Sequence, residues 1–186
     1  MTHTALAKEL SGIIRKTLAA NAAALTRAGD ACRAALAAGG QILVFGNGGS
    51  AAEAQHFVAE LVNKFAAPRH ALRAVSLTTD TSVLTSIGND VSFAAIFSRQ
   101  VEALGRPGDV ALALSTSGMS PNVVRGLSAA RKKGLVTIGL TGASGGRMAA
   151  LCDHRLSVPS TKTARIQEVH HIFLHLLTEE IERDLV

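Results

Sequence analysis

Over residues 4–38 apolar side chains return every three or four places, at Leu6, Leu10, Ile13, Ile14, Leu18, Leu25 and Leu36. That period predicts one long helix, or two in series broken at Gly29-Asp30. After Gly39-Gly40 the pattern changes. Residues 41–45 form a short apolar run that ends in Gly46-Asn47-Gly48-Gly49-Ser50, and an alanine-rich helical stretch then reaches about Phe65. This reads as strand, glycine loop and helix. The same grammar predicts further strands over 71–77, 110–114 and 135–140, the last two running into Ser115-Thr116-Ser117-Gly118 and Thr141-Gly142. A weaker strand is expected over about 154–158, and a closing helix over about 163–184.

Strands alternating with helices imply a parallel sheet covered on both faces and joined by right-handed crossovers. The expectation is therefore an α/β fold: a three-layer, doubly wound parallel sheet of about five strands, with an extra N-terminal helix. At 186 residues the chain suits one domain, spanning 1–186. In such sheets ligands bind beyond the carboxyl ends of the strands, where the polar loops gather.

Composition narrows the function. The chain is 47% hydrophobic but only 3% aromatic, with no Trp or Tyr, so its core must be aliphatic. The six Phe are not interleaved with a basic stripe, which speaks against nucleic-acid binding by base stacking. The formal charge of +5 is compatible with a nucleic-acid partner, an anionic membrane surface or an anionic small substrate and does not choose among them; its densest cluster, Arg125, Arg131, Lys132 and Lys133, reads as a solvated helix face. Cys32 and Cys152 have no metal or redox spacing and read as small buried apolar residues. No signal peptide or membrane-spanning stretch is apparent, so a cytoplasmic location is expected and no membrane partner.

Two loops carry candidate chemistry. Gly46-Asn47-Gly48-Gly49-Ser50-Ala51 satisfies the G-x-G-x-x-A dinucleotide pattern, but the acidic residue expected about twenty positions on is missing, the nearest being Asp80. A tight turn would explain the glycines; four small polar residues at the end of a strand point rather to ligand contact. Ser115-Thr116-Ser117-Gly118-Met119-Ser120-Pro121 gathers four hydroxyls before a helix N-terminus, a setting suited to a phosphate. Ser120 as N-cap with Pro121 following would explain that pair, though not the other hydroxyls.

Ionisable residues cluster on two helices. His56 and Glu60 are four apart and share a face, a spacing that can bind a metal or place a base. Gln167, His171 and His175 repeat that spacing in the last helix, beside Glu168 and His170. Eight residues of helix separate Gln167 from His175 by about 12 Å and about 80°. If both serve one site, a distortion or a neighbouring subunit is needed, so active sites are expected at a subunit interface.

Taken in order, Gly46-Asn47-Gly48-Gly49-Ser50, His56 with Glu60, Gly88-Asn89-Asp90, Ser115-Thr116-Ser117-Gly118 and Arg165-Ile166-Gln167-Glu168 ahead of His175 resemble the phosphoheptose isomerase family. That family belongs to the sugar isomerase (SIS) domain superfamily, of flavodoxin-like fold, and the resemblance covers nearly the whole chain. It implies conversion of sedoheptulose 7-phosphate to D-glycero-D-manno-heptose 7-phosphate through an enediol, in heptose biosynthesis for lipopolysaccharide or surface polysaccharide. It implies a cytoplasmic homotetramer, with segment 1–38 used in oligomer packing. Substrate contacts would come from Asn47, Gly48, Gly49, Glu60, Asn89, Asp90, Ser115, Thr116, Ser117, Ser120 and Gln167. Glu60 would be the carbon base and His175 an acid and base for the oxygens. Zinc would be held by His56, Glu60, Gln167 and His175. Some members carry Asp directly before Arg-Ile-Gln-Glu; here Ala164 stands in that place, so any role of that Asp is absent or falls to another group such as Asp90.

Two rival readings follow from the same residues. The chain also resembles the initiator-associating adaptor of bacterial replication, a non-catalytic relative that lacks the paired Glu and His. An isomerase of another phosphosugar would share the phosphate loop and the acid–base pair.

Overall fold

A computed structural model describes residues 2–183 of the chain. It opens with a 35-residue helix, α1 (His3–Ala37), whose N-cap Thr2 accepts the N–H of Ala5 through its side chain. Of the two readings of this segment, one long helix is the one observed, with no break at Gly29-Asp30. A Cβ at Gly29 would stand 2.5 Å from Cβ of Glu180 in the last helix. Gly29 thus lets two helices approach closely, and that packing outweighs the modest helix cost of a glycine.

The strands are β1 (Ile42–Gly46), β2 (Ala74–Ser76), β3 (Val110–Ser115), β4 (Val136–Thr141) and β5 (His154–Ser157). They form one all-parallel sheet in the order β2-β1-β3-β4-β5. The fold expected from the alternating pattern is therefore the one observed. β2 is shorter than the apolar run 71–77 suggests, because it is an edge strand paired on one side only: Leu72 N–H turns back to the Leu61 carbonyl, and Leu77 N–H ends the pairing at the Val44 carbonyl.

Helices α2 (Gly49–Val62), α3 (Thr81–Asp90), α4 (Ile96–Leu104), α5 (Pro121–Lys132) and α6 (Thr163–Glu182) complete the layers. α3 and α4 were not anticipated from the periodicity, and α2 stops three residues short of Phe65. The expected end of the last helix, Asp184, lies outside the described residues. Successive residues of each strand serve opposite cores, as the pleat requires. Ile42, Val44, Leu112 and Leu114 pack with α1, α2 and α6; Leu43, Phe45, Ala111 and Ala113 pack with α4 and α5. Cys32 is buried in the first core and Cys152 packs against the second. Arg125, Arg131 and Lys132 are exposed on the outer face of α5, as expected of a solvated face, whereas Lys133, at its C-cap, is half-buried and donates to the Glu102 carbonyl. Among the described residues no helix is long and apolar enough to cross a membrane.

The sheet order reverses between β1 and β3, so the crevice beyond their carboxyl ends is the topological switch point at which such sheets bind ligands. The first glycine loop leaves β1 and the hydroxyl loop leaves β3. Both therefore open onto that crevice.

Candidate active site

A cavity of about 170 Å³ lies between these loops, lined by Asn47, Ser50, Leu114, Ser115, Thr116, Ser120, Thr163 and Gln167. Ser120 is the N-cap residue of α5 with Pro121 behind it, but its hydroxyl makes no capping bond. It instead meets Ser115 Oγ at 3.1 Å, while Ser115 meets Ser117 Oγ at 3.4 Å and Ser117 accepts the Met119 N–H. No hydroxyl proton here is committed to a backbone acceptor, so these hydroxyls can rotate to donate to an incoming anion. A larger opening of about 310 Å³ shares Thr116 and Thr163 and adds the hydroxyls of Ser117, Ser144, Ser160 and Thr161. The surroundings suit a long polyol carrying an anionic group.

The two loops are tied by a reciprocal amide pair. Asn47 Nδ2 donates to Asn122 Oδ1 at 2.9 Å and Asn122 Nδ2 donates to Asn47 Oδ1 at 2.8 Å. Asn122 Oδ1 also accepts the N–H of Val123, which sets the orientation of its amide and, through it, that of Asn47.

α2 and α6 lie side by side and run in the same direction, so their polar faces meet rung by rung. Gly49 abuts Gln167: a Cβ there would stand 2.5 Å from Gln167 Nε2. One turn or two further on, His56 Nε2 lies 3.0 Å from Glu60 Oε1, His175 Nε2 lies 3.4 Å from the same oxygen, and the two ring nitrogens are 3.1 Å apart. Glu60 is largely shielded, its side chain 13% exposed, whereas His56 and His175 are 41% and 37% exposed and so open to a ligand. The His171 ring centroid is 4.5 Å from those of both His56 and His175. Burial, joined by the charges of His56 and His175, holds the His171 imidazole below its ordinary range against the pull of Glu60. On the far side the Phe65 ring closes on His175, with centroids 5.5 Å apart.

One nitrogen from each of His56, His171 and His175 lies within 4.8 Å of the others. With the Glu60 carboxylate beside them they make a mixed N/O donor set of the kind that suits a divalent transition metal such as zinc. Three of the four residues expected to hold a metal, His56, Glu60 and His175, thus converge within one chain. The fourth, Gln167, is two turns earlier on α6 and lines the small cavity, and His171 occupies the turn between. The 12 Å that separates Gln167 from His175 is spanned by α2, whose own series of Gly49, His56 and Glu60 runs parallel to it.

Asn47, Ser115, Thr116, Ser120 and Gln167 meet at the cavity, Gly48 and Gly49 form its glycine loop, and Ser117 lines the adjoining opening. Asn89 and Asp90 stand apart. They end α3 on the exposed surface and hydrogen-bond to each other at 2.8 Å. Asn122, Thr163 and Phe65 were not foreseen. A fixed helical spacing singles out His171, but nothing in the spacing of Asn122 or Phe65 marks them.

The SIS domain model matches residues 6–142. A phosphoheptose isomerase of Paramagnetospirillum magneticum is 55% identical over 171 residues, covering 90% of this chain and 89% of its own. The solved phosphoheptose isomerase of Neisseria gonorrhoeae superposes with a TM-score of 0.92 at 42% identity, over 97% of this chain and 96% of its own. That of Francisella tularensis gives 0.89 at 35% identity, over 99% and 100%. The chain belongs to the SIS domain family and, within it, to the phosphoheptose isomerases, and it is an isomerase.

Proposed function

We propose that the chain converts sedoheptulose 7-phosphate to D-glycero-D-manno-heptose 7-phosphate. The observation that carries this is the placement of Glu60 Oε1 within reach of both His56 and His175, two turns along α6 from Gln167 of a hydroxyl-lined cavity at the sheet's switch point. The phosphate lies among Ser115, Thr116, Ser117 and Ser120, where hydroxyls and the N-terminus of α5 favour an anion. Asn47 and Gln167 orient the sugar between the phosphate and the acid–base pair. Glu60 removes a proton from C1, the C–H electron pair forms the C1=C2 bond, and the carbonyl pair of C2 goes to its oxygen, which His175 protonates. The cis-enediol then collapses: His175, now deprotonated, takes the proton from O1, the O–H pair forms the C1=O bond, and the C1=C2 pair takes the proton that Glu60 returns to C2, giving the C1 aldehyde and restoring both groups. His56, Glu60 and His175, with Gln167 or His171, would hold a zinc ion, which when bound polarises the carbonyl and stabilises negative charge on oxygen.

The same reading takes the enzyme as a cytoplasmic homotetramer with active sites at subunit interfaces, acting in heptose biosynthesis for lipopolysaccharide or surface polysaccharide, with 1–186 as one SIS domain and α1 contributing to assembly. Asn89 and Asp90 are exposed in their own chain and flanked by the largely exposed Val91 and Phe93. An apolar surface beside polar substrate-binding candidates is one that association would cover. Light scattering should give four chains, and Phe93→Asp should lower both mass and turnover.

The deciding experiment is an NMR assay of sedoheptulose 7-phosphate with the purified protein, the chelated protein and the zinc-restored protein, beside Glu60→Gln and His175→Ala. Turnover lost on chelation, regained with zinc and abolished in both variants is expected. An inactive wild type that binds a replication initiator would favour the adaptor; an inactive one that isomerises another phosphosugar would shift the substrate.

A further inference from the structure

Arg69 and Glu182 form a buried ion pair that no part of the reaction uses directly. Arg69 is fully shielded and Glu182 nearly so, with Nε to Oε1 at 2.6 Å. The pair's other contacts join the end of α2 to the loop that follows it. Arg69 Nη2 donates to the backbone carbonyl of Glu60 itself at 2.7 Å, and Nη1 donates to the carbonyls of Leu61 at 2.8 Å and His70 at 3.0 Å. The carbonyls of Glu60 and Leu61 belong to the last turn of α2 and lack partners within the helix, and a guanidinium satisfies them with favourable charge. Glu182 Oε1 accepts the N–H of Phe65 at 3.2 Å and Oε2 accepts that of Ala66 at 3.3 Å. Burial alone would push the Glu182 carboxyl up, but the Arg69 guanidinium and the two N–H groups outweigh it and hold the carboxyl below its ordinary value.

The consequence lies one step further in. Glu60 is on α2 and His175 on α6, and nothing covalent sets their relative position. Arg69 grips the last turn of α2 at Glu60. Glu182 lies two turns beyond His175 on α6, and holds the loop whose Phe65 ring rests against His175. We propose that Arg69 and Glu182 are positioning residues that fix the catalytic carboxylate of α2 and the catalytic imidazole of α6 in register. This rests on the reading of Glu60 and His175 as the acid–base pair.

The test uses Arg69→Lys, which keeps the charge but loses the fork, and Glu182→Gln, which keeps the size and an acceptor but loses the charge. Each is checked for native circular dichroism and assayed well below its own Tm. Misplacing a catalytic group by about 1 Å costs roughly 100-fold in rate. We expect kcat to fall at least about tenfold with KM within about threefold, and the His175 ring-proton resonances to shift as Phe65 moves. A lowered Tm with kcat and the His175 resonances unchanged would overturn the proposal and leave the pair a structural brace. Glu60→Gln run alongside separates the two readings. If that variant retains turnover, or the wild type has none, the acid–base reading fails, while the His175 resonances still judge whether the pair positions that ring.

Discussion

Gly49→Ala should separate stability from function. Gly49 is the first residue of α2, and its φ is not among the chain's positive values, so alanine can take its backbone conformation. That replacement restricts the unfolded chain and stabilises by about 0.4–1 kcal/mol. The new methyl, however, would stand 2.5, 3.1 and 3.3 Å from Nε2, Cδ and Oε1 of Gln167. All three atoms are the end of a flexible side chain, so the amide swings away instead of the helices parting, at about 0.5–1.5 kcal/mol for a displaced rotamer. The two effects nearly cancel, and Tm should change by no more than about 4 °C. The displaced amide is the one that lines the cavity, and a lost hydrogen bond of about 0.5–1.5 kcal/mol weakens ligand binding by up to about tenfold. Thermal unfolding and calorimetric titration with the sugar phosphate measure both. Unchanged affinity would mean that Gln167 does not contact the ligand from this position. A fall in Tm beyond about 8 °C would mean that the contact is rigid packing between α2 and α6.

Gly118→Ala should behave in the opposite way: its φ is +64° and a Cβ would overlap the carbonyl of Gly145, backbone against backbone, so both the fold and the hydroxyl loop suffer and Tm should fall by several degrees with turnover. Asn122→Asp keeps the acceptor for Val123 N–H but sets an oxygen against Asn47 Oδ1; a cost of about 1–3 kcal/mol in chemical denaturation and a several-fold rise in KM are expected. Glu53 has its carboxyl pushed up to about 7 by burial, against the weaker opposing bond from Ser50. The folded state then holds a proton that the unfolded state has released, so stability falls as pH rises from the unfolded value toward 7. Glu53→Gln should therefore raise Tm at pH 8 and do little at pH 4.5, with a gain on the order of 1 kcal/mol after discounting for solvent.

The sheet was legible because each strand is a short apolar run closed by glycine or hydroxyl residues, and such runs have few alternatives once they alternate with helices. The stretch from Thr81 to Leu104 was not legible in the same way. α3 buries no residue, and α4 is only nine residues long, so neither presents the repeated apolar stripe on which periodicity depends. α3 starts on a local device instead, Asp80 accepting the N–H of Val83. At Gly29 the local pattern left one helix or two open. The glycine is a point of contact with Glu180, nearly the whole chain away, and no local rule reports such a contact.

The site divides along the same line. His56 with Glu60, and Gln167 with His171 and His175, are spacings within single helices and stand out in the chain. Which rungs face one another depends on the parallel docking of α2 on α6, a tertiary fact with no local trace. Helical spacing calls for a distortion or a neighbouring subunit if one site takes both Gln167 and His175; within the chain, the docking gives Gln167 to the cavity and brings His175 to the Glu60 carboxylate. On the proposed reading, a sugar phosphate held by the loops after β1 and β3 would lie at the start of both helices, with its reacting end toward Glu60. The distance along α6 from Gln167 to His175 would then be the length over which an extended substrate is laid out.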